Sequence, residues 1–302
     1  RQALEVLLSS PRGFCAGVVR AIDVVDICLK QFGPPVYVKH QIVHNPHVVN
    51  DLESRGAITV ETVEEVPEGS LVVFSAHGSA PEDFERAKAR KLRVIDAVCP
   101  LVTRVHNEAK KYKREGRKVL LVGHRGHQEV RGTMGQIEMT LIDDASPTDL
   151  PDWSPDQEIA VLTQTTLSVG DTARAIQAIR NRFPEALVRN DICYATTNRQ
   201  EAVTKMAADV DLVLVIGAQN SSNCNRLREV AEAHGVPSYL INGPEEIDPA
   251  WLEGKERVGV TSGASTPEVL VESVIKALSP EQVTMLSGVE EDVAFTLPRE
   301  LR

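Results

Sequence analysis

The sequence predicts an α/β protein with mostly parallel sheets, built as three similar α/β units in a pseudo-threefold ring. The first observation is that short runs rich in β-branched residues alternate with helical patterns along nearly the whole chain. These runs are apolar throughout, which is typical of parallel strands that helices cover on both faces. The second observation is a threefold repeat that three of the cysteines mark.

The predicted elements follow one another in order along the chain. Strands are predicted at EVLLSS, VYV, LVVFSA, RVIDAV, KVLLVG, IAVLT, DLVLVIG and RVGVTSG. Helices are predicted at AGVVRAIDVVDICLKQF, LVTRVHNEAKKYKREG and TARAIQAIRNRF, because apolar residues recur there at helical spacing. Ligands of such sheets collect beyond the carboxyl ends of the strands. Several strands end on polar residues, such as His77 in FSAHGS, which indicates a site at those ends.

The repeat becomes visible when the cysteines are used as markers. Cys15, Cys99 and Cys193 each follow a predicted strand and open a predicted helix, at similar spacing. About one strand–helix unit later, a strand ends on a polar residue, which is His44, His127 or Ser222. A second polar strand end follows further on, at His77, Thr165 or Ser265. Because the strand context repeats together with the cysteines, we predict three similar units with the cysteines at a common axis.

The repeat also sets the predicted domain boundaries. The first α/β unit is expected over 16-98, the second over 99-192 and the third over 193-280. The third unit has no closing strand of its own, so we expect the N-terminal strand within 1-15 to complete it. Residues 281-302 are expected to form a C-terminal extension with one short strand at VAFTL.

Composition and charge argue against several classes of protein. The 302 residues are 42% hydrophobic and 25% charged, as in ordinary globular proteins. No apolar run approaches the ~18 residues of a membrane span, and a net charge of -10 argues against nucleic acid as the main partner. The first residues begin no signal peptide, and five cysteines without an export signal favour reduced thiols. We therefore expect a cytoplasmic protein that does not act on membranes.

Three cysteines at helix starts suit a metal centre. The partial positive charge of a helix N-terminus favours the thiolate, and a threefold ring would bring all three sulfurs to its axis. The cysteines are too far apart in sequence for a zinc ribbon or a ferredoxin-type run. Zinc could bind three thiolates, but a cuboidal iron-sulfur cluster matches them better and leaves a fourth iron open. The alternative is three buried thiols that act as small hydrophobes. Cys28 lies on the apolar face of a predicted helix, so we assign it to the hydrophobic core. Cys224 is assigned to packing at a helix start.

Nine motifs, all in order, carry a specific resemblance to one family. They are PRGFCAG, IVHNPHVV, SAHG, DAVCPLVTRVH, GHRGHQEVRGTMGQ, TQTTLS, DICYATTNRQEAV, NSSNCNRL and TSGASTP. Together they resemble the 4-hydroxy-3-methylbut-2-enyl diphosphate reductase (LytB/IspH) family, from about Leu7 to Leu270 and beyond. The resemblance implies a three-domain α/β ring around a central [4Fe-4S] cluster, with Cys15, Cys99 and Cys193 as its ligands.

The same resemblance implies an iron-sulfur oxidoreductase of isoprenoid biosynthesis. Its reaction would be the reductive dehydroxylation of (E)-4-hydroxy-3-methylbut-2-enyl diphosphate to isopentenyl diphosphate and dimethylallyl diphosphate, the last step of the methylerythritol phosphate (MEP) pathway. The open iron of the cluster would bind the substrate hydroxyl. The expected electron donor is a one-electron carrier such as ferredoxin or flavodoxin, and the chain is expected to act as a monomer or homodimer.

The diphosphate of such a substrate needs hydrogen-bond donors, yet the chain has neither a G-x-x-x-x-G-K-[ST] loop nor a G-x-G-x-x-G turn. Polar strand ends can take that role, together with the helix N-termini after NSSN and GAST. The resemblance implies these substrate-binding residues: His44, His77, His127, Thr165, Ser221, Ser222, Asn223 and Ser265. Each serine could instead be a helix cap. We expect His47 and His124 to support the site, and His40, His106 and His234 to take no part in it.

Glu129 lies in the motif His127-Gln128-Glu129. Reductive removal of a hydroxyl needs one proton on the leaving oxygen and another on carbon. A carboxyl group whose pKa is raised in a dry pocket can supply protons near neutral pH. Taken alone, Glu129 would be a solvated loop acid, but the resemblance implies that it relays protons. Thr165 would hydrogen-bond Glu129 or the substrate hydroxyl, and His127 completes the expected catalytic set.

Three other functions stay open from the residues alone. A non-redox dehydratase would use the open iron only as a Lewis acid. A zinc or di-metal hydrolase of phosphate esters could be built from His44, His77, His127 and Glu129. A cluster-bearing iron or oxygen sensor would need no catalysis, although the chain shows no basic or DNA-reading segment.

Overall fold

Within residues 3–302, which the computed structural model describes, strands and helices alternate as predicted. The strands are β1 Glu5–Leu8, β2 Val36–Lys39, β3 Ala57–Val60, β4 Leu71–Phe74, β5 Arg93–Asp96, β6 Lys118–Gly123, β7 Thr140–Asp143, β8 Ile159–Thr163, β9 Leu187–Val188, β10 Leu212–Ile216, β11 Ser238–Ile241, β12 Arg257–Ser262 and β13 Gln282–Met285. The helices are α1 Ala16–Phe32, α2 Pro46–Ser54, α3 Pro81–Ala89, α4 Pro100–Arg114, α5 Gln128–Met134, α6 Val169–Arg182, α7 Tyr194–Ala207, α8 Ser222–Ala233 and α9 Glu268–Leu278. None of these helices is both long enough and apolar enough to cross a membrane.

The strands form three parallel sheets that share one strand order. The orders are β3-β2-β4-β5, β7-β6-β8-β9 and β11-β10-β12-β1-β13. In the last sheet β1 lies beside β12, the place that β5 and β9 hold in the other two, and β13 adds an outer strand. The predicted α/β class with repeated parallel sheets is therefore confirmed.

The chain divides into two compact bodies. The first body contains the described residues up to Ala16, together with His44–Val48 and Tyr194–Ala294, and it holds the five-stranded sheet. The second body contains Gly17–Val43, Val49–Cys193 and Phe295–Arg302, and it holds both four-stranded sheets. The boundaries expected for the three α/β units stay predictions.

In the first body the sheet is buried on both faces. Along β1, Val6 and Leu8 pack in a cluster with Val271 of α9, whereas Leu7 packs in a second cluster with Leu227 of α8. Successive side chains of a strand point to opposite faces, so a strand covered on both sides must be apolar at every position. This explains the continuous apolar run at the start of the chain.

The second body repeats this arrangement around β6 and β8. Leu121 of β6 packs in a cluster with Val105 of α4, while Leu120 packs in another cluster with Ile179 of α6. Helices α4 and α6 thus cover opposite faces of the same sheet. Sandwiching the sheet in this way leaves the carboxyl ends of its strands as the place where polar side chains can gather.

The strand predicted at VAFTL in the C-terminal extension is wrong. The strand of this extension is β13, which pairs with β1 so that Gln282 lies opposite Glu5. No strand forms over Val293–Leu297. The carbonyl of Thr296 instead accepts a hydrogen bond from Nε of Arg20 at 2.7 Å, so a side chain satisfies the backbone there.

Candidate functional site

The three cysteines of the repeat share one backbone environment. Cys99 is the N-cap of α4, and Cys15 and Cys193 directly precede α1 and α7. The N–H of each cysteine donates a hydrogen bond to a carbonyl just beyond the end of a strand. Cys15 donates to Ala264 after β12 at 3.3 Å, and Cys99 donates to Ala76 after β4 at 3.1 Å. Cys193 donates to Thr165 after β8 at 3.1 Å. All three cysteines are half-buried.

This environment fits thiolate ligands. A helix start supplies partial positive charge and N–H groups that favour the thiolate, and a half-buried side chain is accessible to a ligand. Cys28 and Cys224 differ, because burial raises the pKa of both thiols, that of Cys28 to about 11. Those two are packing residues, as the sequence predicts. The chemistry of Cys15, Cys99 and Cys193 fits a group that binds three thiolates, such as an iron-sulfur cluster.

Glu129 is buried at the start of α5 and is held by Thr165 in the loop after β8. Strands β6 and β8 are neighbours, so the segments that follow them meet. Thr165 donates its backbone N–H to Oε2 and its hydroxyl to Oε1 of Glu129, each at 2.8 Å. Burial raises the pKa of Glu129 to about 7, and the hydrogen bonds from Thr165 offset part of that rise. A carboxyl group with this pKa exchanges its proton near neutral pH.

His127 is the N-cap of α5, and its Nδ1 accepts a hydrogen bond from the backbone N–H of Glu129 at 3.2 Å. A ring nitrogen that accepts a hydrogen bond carries no proton, so this contact leaves Nε2 as the donor nitrogen of the ring. The ring centroid of His77 lies 6.1 Å from that of His127. The second body therefore brings together four predicted site residues beyond β4, β6 and β8: His77, His127, Glu129 and Thr165.

His40 lies in this group, although we expect no role for it from the sequence. Its ring centroid is 5.5 Å from that of His77, and its Nδ1 lies 3.1 Å from Oε2 of Glu61. It follows β2 in the left-handed conformation, with φ +62°. The sequence could have indicated this position, because the run VYVKH ends on a histidine just as the runs LVVFSAH and LLVGH do. His40 therefore lies beside His77, and the expectation that it takes no part in the site stays a prediction.

Helix α5 packs closely against the loop that carries His77. A Cβ on Gly132 would lie only 2.9 Å from the carbonyl oxygen of Gly78, so glycine is needed at this contact. Gln136 bridges the same two segments by donating from Nε2 to the carbonyls of Ser79 at 3.1 Å and Gly132 at 2.9 Å. These contacts fix the His77 loop relative to the helix that carries the carboxyl group.

The first body gathers a second set of polar residues beyond the neighbouring strands β10 and β12. Ser265 donates its hydroxyl to the carbonyl of His44 at 3.1 Å, and Nδ1 of His44 lies 3.3 Å from Nδ2 of Asn220. Oδ1 of Asn223 accepts from the N–H of Ala264 at 2.8 Å. We do not predict Asn220 as a site residue, although its place in the NSSN motif was a usable signal.

Ser221 and Ser222 begin α8 beside this set. Ser221 is the N-cap, and its Oγ accepts from the N–H of Cys224 at 3.3 Å, so the capping role holds for this residue. The Sγ of Cys224 fills the space between Gly217 and Gly263, where a Cβ on either glycine would lie 2.1 Å from the sulfur. This packing fixes the start of α8 at the strand ends. The N-terminus of a helix of 12 residues favours an anion.

The remaining histidines take other positions. His106 is buried in α4, and burial lowers its pKa to about 4. It is therefore a neutral core histidine, as expected. His47 is exposed in the first turn of α2, and His124 is exposed with its Nδ1 3.1 Å from Oδ1 of Asp144. His234 is the C-cap of α8.

Sequence comparison relates the chain to one protein family. The family model described as LytB protein matches residues 6–279. The 4-hydroxy-3-methylbut-2-enyl diphosphate reductase of Azoarcus sp. (strain BH72) is 52% identical over 305 residues, which cover 99% of this chain and 98% of that protein. The 4-hydroxy-3-methylbut-2-enyl diphosphate reductase 1 of Rhodopseudomonas palustris is 53% identical over 306 residues, covering 98% and 99%.

Structural comparison leads to the same family. The E-1-hydroxy-2-methyl-but-2-enyl-4-diphosphate reductase from Plasmodium falciparum matches with a TM-score of 0.95 at 37% identity, covering 100% of this chain and 97% of that one. A solved (E)-4-hydroxy-3-methyl-but-2-enyl diphosphate reductase matches with a TM-score of 0.65 at 35% identity, covering 91% and 99%. Sequence and fold thus agree. The chain belongs to the LytB family of 4-hydroxy-3-methylbut-2-enyl diphosphate reductases and is an oxidoreductase.

Proposed function

We propose that the chain reduces (E)-4-hydroxy-3-methylbut-2-enyl diphosphate to isopentenyl diphosphate and dimethylallyl diphosphate. One C–O bond breaks and one C–H bond forms, so each turnover consumes two electrons and two protons and releases water. Family membership supports this substrate, and a one-electron carrier such as ferredoxin or flavodoxin would deliver the electrons in two steps. The observation that carries the proposal is the buried Glu129–Thr165 pair, because the reaction requires a proton source.

Cys15, Cys99 and Cys193 would hold a [4Fe-4S] cluster through their thiolates. When bound, the cluster would pass on electrons one at a time and offer the substrate hydroxyl an iron without a protein ligand. The shared backbone environment of the three cysteines supports this assignment, since each loop is fixed by an N–H bond to a strand-end carbonyl. A ligand loop fixed in advance loses little conformational freedom when the group binds.

The diphosphate would be bound by neutral donors and by the N-terminus of α8. Hydroxyl, amide and imidazole groups together with a helix dipole can hold an anion without a fixed lysine or arginine. The residues of the first body assigned to this role are His44, Ser221, Ser222, Asn223 and Ser265. We also assign His77 and His127 to the substrate, and the proton on Nε2 of His127 makes that ring a donor.

Glu129 would supply protons through the hydroxyl of Thr165. The ionised carboxylate accepts two hydrogen bonds from Thr165. The protonated carboxyl would instead donate to Oγ1, and the hydroxyl hydrogen of Thr165 would then turn toward the substrate. One proton would leave with the hydroxyl oxygen as water. The other would reach either end of the allyl unit, which accounts for two products.

Replacement of Glu129 by glutamine tests this proposal. Glutamine has nearly the same shape and can still accept a hydrogen bond from the N–H of Thr165, but it releases no proton. We expect E129Q to bind substrate and keep its iron, while turnover with a chemical one-electron reductant falls about 100-fold or more. Glu185, an exposed carboxyl, serves as the control, and E185Q should turn over like the wild type. Turnover of E129Q near that of the wild type would remove Glu129 from the mechanism.

A further inference from the structure

Arg20 connects the start of α1 to the loop that leads into Cys99. It donates from Nη1 to the carbonyl of Val98 at 2.8 Å and from Nε to the carbonyl of Thr296 at 2.7 Å. Burial lowers the pKa of Arg20, and the negative charges of Asp96 and Cys99 act against that change. The guanidinium therefore both fixes the residue before Cys99 and lies close enough to its sulfur to interact electrostatically.

Arg199 makes the corresponding contact with the loop that leads into Cys15. It is 1% exposed, and it donates from Nε and Nη2 to the carbonyl of Gly13 at 3.0 and 2.8 Å. Its Nη1 lies 2.9 and 3.1 Å from the two carboxylate oxygens of Glu291. A buried guanidinium needs such a counter-charge and filled donors, so Glu291 keeps Arg199 in place.

The two arginines occupy equivalent places in the repeat. Each lies in the second turn of a helix that follows a cysteine, Arg20 in α1 and Arg199 in α7. Helix α4 carries Arg104 in its second turn as well, and the charge of Arg104 acts on Asp191 in the loop before α7. An arginine near the start of each of these helices thus acts on the loop that precedes another one.

We propose that Arg20 and Arg199 are positioning residues for the cluster ligands: they hold the Cys99 and Cys15 loops in their binding geometry, and Arg20 adds a positive charge beside Cys99. This inference rests on the proposed function, because it requires both cysteines to be ligands. A positive charge near a ligand favours the more negative, reduced form of a cluster, so Arg20 raises its reduction potential. Loop geometry controls how long the iron stays bound.

Two variants of the holoenzyme separate these two effects. R20Q removes the positive charge and the two hydrogen bonds to the carbonyls of Val98 and Thr296. R20K keeps the charge, but an ammonium group cannot make both hydrogen bonds in the geometry of the planar guanidinium. We expect both variants to lose iron to a ferrous chelator about fivefold to tenfold faster, as the loss of a charge-assisted hydrogen bond implies. The equilibrium constant for one-electron reduction of the cluster should fall about tenfold in R20Q, which lowers the reduction potential by ~59 mV. In R20K the potential should stay near the wild-type value.

Arg90 provides a matched control. It is half-buried and donates from Nη2 to the carbonyl of Val66 at 2.7 Å, a backbone contact in a segment without a cysteine. R90Q should show the wild-type rate of iron release and the wild-type potential. Equal changes in R90Q and R20Q would overturn the proposal, because they would reflect a general loss of stability.

The remaining outcomes are decisive as well. If R20Q keeps the wild-type release rate and potential, Arg20 is not a positioning residue. If R20Q does not fold, E291Q tests the same idea at Cys15, since it weakens the hold on Arg199; faster iron release supports the proposal and wild-type release overturns it. A wild-type chain that binds no cluster contradicts the proposed function itself, whereas a normal cluster in all variants contradicts only the positioning role.

Discussion

At the scale of single residues, burial decides which groups are charged. It keeps the thiols of Cys28 and Cys224 protonated and raises the pKa of Glu129 into the neutral range. Half-buried cysteines at helix starts are in the opposite situation, because the helix favours their thiolates. The chain thus separates two fully buried packing thiols from three half-buried thiols at helix starts, and it buries the carboxyl group that we propose as the proton donor.

The raised pKa of Glu129 predicts a pH-dependent stability. Its pKa is about 7 in the folded chain against an ordinary value of 4.5, so the folded chain binds more protons between those values. The stabilising contribution of the neutral carboxyl is fully present below the lower value and is lost as the pH rises through 7. The loss amounts to ~3 kcal/mol. Glutamine does not titrate, so the free energy of unfolding of E129Q, measured with denaturant, should rise relative to that of the wild type from pH 5 to pH 8. A difference that stays constant with pH would contradict the shifted pKa.

Thr165 should control the pH dependence of turnover. Its hydroxyl stabilises the ionised form of Glu129, so T165V should raise the pKa of Glu129 by up to about one unit. Glu129 would then stay protonated to higher pH, so the alkaline limb of the pH–rate profile should shift to higher pH. Turnover itself should fall, because the hydroxyl that passes the proton on is absent. T165S retains the hydroxyl and should restore both. An unchanged profile in T165V would show that the hydroxyl does not act on the carboxyl.

At the scale of elements, the contact between α5 and the His77 loop should tolerate no side chain. Gly132→Ala would place a Cβ 2.9 Å from the carbonyl oxygen of Gly78, and overpacking of this kind costs about 1–3 kcal/mol. Gly170 in α6 is the control, since its Cβ would meet only ordinary contacts. The midpoint temperature of thermal unfolding should therefore be lower for G132A than for the wild type, and equal or higher for G170A. Equal stability of the two variants would contradict the close packing of α5 against the His77 loop.

The sequence predicted the strand-end residues well because their signal is local. An apolar run that stops on a histidine or serine can be read without knowing what lies beside it, as at His77 and Ser265. Strand β13 could not be found in this way, since it is largely exposed and only its pairing with β1 defines it. The same holds for Arg20 and Arg199, whose partners are backbone carbonyls far away in sequence.

At the scale of the whole molecule, one strand order recurs in three sheets, and one cysteine loop recurs with each. Membership of a reductase family favours the redox reaction over the dehydratase, hydrolase and sensor that the residues alone left open. The fold thus repeats one cysteine position at the start of three helices, and the proposed reaction assigns proton transfer and anion binding to polar residues at the strand ends. The proposed reaction requires those three cysteines to act as ligands of one cluster.

Anaerobic iron and sulfide analysis with spectroscopy tests that claim most directly, on the wild type, on Cys99→Ser and on Cys28→Ala as a buried control. We expect about four irons and four sulfides per chain in the wild type and in C28A, and fewer or none in C99S. A colourless wild-type protein that holds zinc, after anaerobic purification and attempted cluster reconstitution, would contradict it.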